Sequence, residues 1–201
     1  MEKLFILDPG HGGIINGYPQ TAGKRSPFDD LPFYEGEFNR AIVKRIMKWA
    51  YLFGVTAFNL VDTEEDVFLA ERVSIANRLY DKYGSLCVYV SIHVNAGGGH
   101  GIEVWTSPGD TPADPLATVF LEKMHKAFPE ARKRTDMQDG DVDKEAGFHV
   151  LKNTKMPAIL TENFFMDNRE ELTRYLLDEE ARDKVAMAHL AAMVAINQNG
   201  G

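Results

Sequence analysis

The run Leu86-Cys87-Val88-Tyr89-Val90-Ser91-Ile92-His93 constrains this chain more than any other stretch. It is short, nearly continuous in apolar character and shows no polar alternation. That is the pattern of a strand covered on both faces, as in the middle of a parallel sheet with helices above and below.

The rest of the chain alternates as such a sheet requires. Residues 3–8, Val55 to Val61, Gly101 to Thr106, Phe148 to Leu151 and Ala158 to Thr161 read as further strands. Between them, residues 37–53 carry Phe38, Ile42, Ile46, Ala50 and Phe53 at helical spacing, with Gly54 as the stop. Helices are also expected over 66–83, 114–127 and 179–197, the last capped by Asp178, with a short one over 168–176. Strand alternating with helix predicts an α/β fold with helices on both faces of one sheet. With 201 residues, 44% hydrophobic content and no repeat, linker or low-complexity segment, residues 1–201 are expected to form a single domain.

Two stretches stand outside this pattern. Residues 14–34, rich in Gly, Pro and Asp, read as a long loop, and loops of that length inside a compact domain are usually functional or disordered. Residues 129–147 are charged and irregular. There Asp139, Asp141, Asp143 and Glu145 alternate as in a calcium loop. They lack its glycine and spacing, so they read as a solvated acidic loop.

Composition removes several function classes. A net charge of −8 with no Lys/Arg stripe argues against nucleic acid as a partner. No apolar run approaches the roughly 20 residues of a membrane span. Met1-Glu2-Lys3-Leu4 shows neither a basic region nor a long apolar one, so no signal peptide is visible and synthesis in the cytoplasm is expected. The one cysteine, Cys87, permits no intramolecular disulfide and reads as a buried strand thiol.

The chemistry-bearing residues begin at Asp8-Pro9-Gly10-His11-Gly12-Gly13, a tight glycine-rich turn directly after the first strand. It presents His11 at the carboxyl edge of the sheet, where open α/β folds keep their sites. Three more residues fall at comparable places: Glu35, where the long loop meets the first helix; His93, ending the buried strand; and Glu162, ending Ala158-Ile159-Leu160-Thr161. Each has an ordinary reading taken alone. His11 and His93 would bond to turns, Glu35 would sit in a helix first turn favoured by the dipole, and Glu162 would pair with a surface lysine. Together, three of the four lie at the carboxyl ends of separate strands, which converge on one edge of a parallel sheet. Histidines and carboxylates so gathered suit a zinc hydrolase, with three protein ligands and a nearby carboxylate to take a proton from water.

These segments match a family. The chain resembles the zinc-dependent N-acetylmuramoyl-L-alanine amidases of the third amidase class. The resemblance rests on Leu7-Asp8-Pro9-Gly10-His11-Gly12-Gly13, Glu35-Gly36-Glu37-Phe38-Asn39 and Val90-Ser91-Ile92-His93-Val94-Asn95-Ala96. It rests equally on Val150-Leu151-Lys152-Asn153-Thr154 followed by Met156-Pro157-Ala158-Ile159-Leu160-Thr161-Glu162, while Glu71-Arg72-Val73-Ser74-Ile75-Ala76-Asn77 also looks familial. It implies a mixed, mostly parallel sheet of about six strands, and one Zn²⁺ held by His11, Glu35 and His93. The same resemblance selects Glu35 over the neighbouring Glu37 and makes Glu162 the catalytic carboxylate. Beside such ligands Asp8 and Asn95 are candidates for orienting them, with stabilisation of the adjoining turns as the alternative for each. The implied reaction is hydrolysis of the amide joining N-acetylmuramic acid to the L-alanine of the peptidoglycan stem peptide, with no protein partner implied. The alternatives are a zinc peptidoglycan carboxypeptidase and a non-catalytic peptidoglycan-binding module.

The chain departs from the family pattern at Asn163-Phe164-Phe165 and in the insertion within 14–34, which puts the shape of the substrate groove in question. Its compactness makes it similar to phage or prophage lysis amidases, which act on the wall after lysis-type release. His149 reads as a packed strand histidine near the site, and His100, His125 and His189 as loop or helix-surface residues without a role.

Overall fold

The first strand, β1 (Leu4–Pro9), is buried along nearly all its length and ends at the glycine-rich turn. The computed structural model describes residues 2–137 and 140–199. After β1 come β2 (Ile14–Ile15), β3 (Tyr18–Pro19), α1 (Glu35–Ala50), β4 (Thr56–Asn59), α2 (Leu69–Tyr83) and β5 (Cys87–Asn95). The second half contains β6 (Ile102–Thr106), α3 (Asp114–Ala127), β7 (Lys144–Glu145), α4 (His149–Asn153), β8 (Ala158–Phe165), α5 (Arg169–Glu171) and α6 (Glu179–Asn199).

One sheet of six strands, in the order β4-β1-β5-β8-β6-β7, organises the fold. β4, β1, β5 and β8 are parallel, while β6 runs antiparallel to β8 and carries β7 alongside it. Period-two alternation divides the core between its two faces. Phe5, Leu7, Val88, Val90, Ile92 and Ile159 pack with residues of α1, α3 and α6. The intervening Ile6, Cys87, Tyr89, Ala158 and Leu160 pack with α2 and α4. The central strand is therefore covered on both faces, as its apolar run requires.

The topology fixes where a site can form. From β1 the chain crosses through α1 to β4 on one side, then through α2 back to β5 on the other. The segments that leave β1 and β5 diverge, opening a crevice beyond the carboxyl ends of the two strands.

Local chemistry accounts for two helix ends. Gly54 adopts a left-handed φ of 63° after α1 and its short continuation Tyr51–Phe53. Asp178 accepts the Ala181 amide at 2.8 Å and caps α6. Four expectations need correction. Phe148 to Leu151 is not a strand: Phe148 precedes α4, whose closing residues Asn153 and Thr154 bond back to the carbonyls of His149 and Val150. A four-residue apolar run carries too little periodicity to separate the two forms. The 14–34 segment contains a hairpin, β2–β3, turned by Asn16 and Gly17 at positive φ, the pairing that two-residue turns favour. β8 runs beyond Thr161 to Phe165, so Glu162 lies within the strand. His189 is fully buried between Thr161 Oγ1 (3.0 Å) and the Val185 carbonyl (2.9 Å), not on a helix surface.

Candidate metal centre and active site

His11 takes φ of 64°, a left-handed conformation uncommon outside glycine, between Gly10 and Gly12. Three side chains brace this turn. Asn39 Nδ2 donates to the Gly10 carbonyl (3.1 Å), and Arg40 Nη1 and Arg72 Nη2 donate to the His11 carbonyl (2.7 and 3.0 Å). A Cβ at Gly10 would overlap the His93 imidazole, and one at Gly36 would overlap the Gly12 carbonyl. The glycines let strand end, helix start and histidine ring close on one point.

Glu35, in the first turn of α1, is 1% exposed. Its Oε1 lies 3.0 Å from His93 Nδ1 and 3.3 Å from His11 Nε2, and accepts the Val94 amide at 3.1 Å. The two imidazoles meet edge-on with centroids 4.9 Å apart. Burial opposes charge on Glu35, but its close approach to the His11 and His93 imidazoles outweighs it and holds the carboxyl well below the usual carboxylate range. Glu37 points elsewhere, forming a fork with Arg182 at 3.1 Å through both oxygens.

One donor atom from each of His11, Glu35 and His93 lies within 4.8 Å of the others. His11 Nε2 and Glu35 Oε2 are buried without a hydrogen-bond partner. Two imidazoles and a carboxylate with orphaned buried polar atoms fit a three-ligand metal site of the His₂Glu kind.

Glu162 faces His93 across the β5–β8 pair, in register. Just beyond, the register slips: Asn163 and Phe164 stand against Val94, a bulge, with Phe164 at φ of 65°. Phe164 turns into the core, stacking on Tyr175 at 4.3 Å, and Asn163 Nδ2 holds the His93 carbonyl at 2.9 Å. The Asn163-Phe164-Phe165 departure is thus packed away from the cleft. Glu162 Oε2 is buried without a hydrogen-bond partner. Burial, with Glu35 and Glu103 nearby, raises its carboxyl to about 8 despite the opposing influence of His93 and Lys24.

His11, His93 and Glu162 line a cleft of about 390 Å³ that also includes Lys24, Phe68, Arg72, Phe148 and His149. His149 therefore reaches the cleft from the start of α4. Lys24 comes from the 14–34 segment, 3.9 Å from Glu35 Oε2, and its carbonyl accepts the Glu35 amide at 3.0 Å. That segment both forms part of the wall and braces a ligand.

Asp8 and Asn95 do not bond to the ligand side chains. Asp8 binds Arg72, Tyr89 (2.6 Å) and Ser91 (3.1 Å) inside the sheet. Asn95 donates to Glu103 (2.6 Å) and accepts the Ala96 amide (2.8 Å). The residues that brace the centre are Asn39, Arg40, Arg72 and Asn163. Arg72 belongs to a segment with a familial look, but only the fold reveals what its guanidinium reaches.

Residues 5–195 match the family model described as N-acetylmuramoyl-L-alanine amidase. The chain belongs to this amidase family. It is 34% identical over 171 residues to the N-acetylmuramoyl-L-alanine amidase CwlM of Bacillus licheniformis, covering 85% of this chain and 59% of that protein. It is 31% identical over 199 residues to the endolysin of Bacillus phage SPP1, covering 98% of this chain and 66% of that one. Each of these relatives is therefore substantially longer than the part this chain spans. Among solved structures, the N-acetylmuramoyl-L-alanine amidase AmiC2 of Nostoc punctiforme superposes with a TM-score of 0.74 at 27% identity, covering 98% of this chain and 97% of that one. The amidase fold thus accounts for the six-stranded sheet and its helices. Among the described residues no helix is long and apolar enough to cross a membrane.

Proposed function

We propose that residues 1–201 form a single catalytic domain that hydrolyses the amide between N-acetylmuramic acid and the L-alanine of peptidoglycan stem peptides. In this reading His11, Glu35 and His93 hold one Zn²⁺ and Glu162 is the general base. The observation that carries it is the convergence of His11, Glu35 and His93 beside Glu162, with buried donor atoms that have no hydrogen-bond partner within the protein.

When bound, zinc supplies Lewis acidity, polarising a carbonyl oxygen and making water a stronger acid. Glu162 takes the proton of the attacking water at its unpartnered oxygen, then delivers it to the departing L-alanine amine. The Val94 amide and both imidazoles keep Glu35 ionised and in place. Lys24 offers a positive charge at the cleft for a carboxylate of the substrate.

Likeness to a phage endolysin supports action on the cell wall after release by lysis. Digestion of purified peptidoglycan, followed by mass spectrometry, tests the activity. The expected products are intact stem peptides with a free L-alanine amine and uncut glycan strands. Shortened stems still attached to sugar would indicate a carboxypeptidase, and an unchanged substrate a binding module.

A further inference from the structure

Two members of the acidic series in the 129–147 segment, Asp141 and Asp143, are not part of a solvated loop. Asp139 lies outside the described residues, and Glu145 accepts the Gly109 amide at 2.6 Å. Asp141 and Asp143 instead fold inward to meet Asp114, in the first turn of α3, with one carboxylate oxygen of each within 4.8 Å of the others. Asp143 is 1% exposed and Asp114 8%. Sequence separation concealed this group, since Asp114 is far from the other two along the chain.

The three carboxylates are only partly satisfied. Asp114 accepts the amide and hydroxyl of Thr111, each at 2.6 Å, and Asp143 Oδ2 accepts the Thr106 hydroxyl at 2.6 Å. Asp143 Oδ1 and Asp141 Oδ1 are buried without a hydrogen-bond partner. Two of the segment's cations, Arg134 and Lys144, pair with Glu103 instead. Three acidic groups gathered around unpartnered buried oxygens need a positive charge among them, because like charges at this range and depth repel strongly.

We propose that Asp114, Asp141 and Asp143 form a calcium site that fastens the 129–147 segment to the start of α3 and the edge of the sheet. The donors are all carboxylate oxygens, a set that suits hard cations and disfavours zinc or copper. Two come from an irregular segment and one from a helix start. That arrangement fits the variable coordination of Ca²⁺ better than the near-ideal octahedron Mg²⁺ demands. Without a cation the group favours keeping a proton: burial, and then Asp141 and Asp114, push the Asp143 carboxyl up against the Thr106 hydrogen bond. The site is separate from the His11, Glu35 and His93 centre and does not depend on the reaction assigned there.

The test uses the full chain with zinc kept equimolar, in buffer freed of calcium over a chelating resin. CaCl₂ is titrated calorimetrically and the melting temperature followed. Wild type should give saturable heat, and at a hundredfold excess over Kd a rise in Tm of roughly 5–10 °C. MgCl₂ should give a smaller rise. Asp143→Asn and Asp141→Asn should each lose the calcium response, while His11→Ala should keep it. Absence of both heat and Tm shift in wild type would overturn the proposal, and that measurement stands even if a variant folds poorly. So would a response that survives in Asp143→Asn, or one stronger with Mg²⁺ than with Ca²⁺.

Discussion

His93 and Glu162 are direct partners across two parallel strands, so the sheet's own register holds the candidate ligand and the candidate base side by side. The bulge that follows comes only after this pair is set, and Asn163 fastens the His93 carbonyl from within it. The relationship is one of backbone geometry and survives small changes in either side chain.

Glu162→Gln should therefore retain fold and metal and lose turnover. The amide matches the carboxyl in size but cannot take a proton from water, and losing general-base help costs about 10²–10⁴-fold. Circular dichroism and metal analysis should match wild type. Near-normal release of stem peptides from zinc-replete Glu162→Gln would eliminate this carboxylate as the base.

Glu35 and Glu37 are separated by one residue and have opposite surroundings. Glu35→Ala should strip the metal, because it removes a donor and leaves both imidazoles without their shared partner. Glu37→Ala should leave the metal in place, losing only its fork with Arg182. Metal content after dialysis reads the difference. The reverse result would move the ligand to Glu37.

Asp8→Asn should destabilise the protein by about 3 kcal/mol, since it leaves the buried Arg72 guanidinium with Asp66, at 3.8 Å and largely exposed, as its remaining ion-pair partner. Arg72 also holds the Pro9 and His11 carbonyls, so the turn bearing His11 should loosen and metal affinity fall with stability. Urea denaturation should show a lower midpoint at unchanged slope. A loss below about 1 kcal/mol would show that the pair does not brace the turn.

His189 predicts a pH effect of defined sign. Burial, only partly offset by its bond to the Val185 carbonyl, lowers its pKa to about 4, below the ordinary histidine value of 6.5. The unfolded chain therefore binds the extra proton first, and this contribution to stability is present above pH 6.5 and lost as pH falls toward 4. The integrated loss is on the order of 3 kcal/mol. His189→Gln cannot take up that proton, so its deficit relative to wild type should narrow between pH 7 and pH 5. A constant deficit would mean that His189 titrates normally.

The α/β class and most of the strand and helix pattern were legible in the order of residues alone. These follow from local periodicity and from an apolar run that only a doubly covered strand can satisfy. The four candidate residues were legible too, because the glycine-rich turn, the helix start and the apolar runs that carry them are written in consecutive letters, although β8 proved to run past Glu162. Tertiary structure decided the rest. Phe148 to Leu151 became a helix start because so short a run carries no period of its own. His189 became a core residue because Thr161, on another element, supplies its partner. Asp8 proved to bind Arg72, and Asp141 and Asp143 to meet Asp114, through contacts between residues far apart in the chain. Pairings of this kind depend on the sheet order and on which face each helix covers, and no local pattern encodes either.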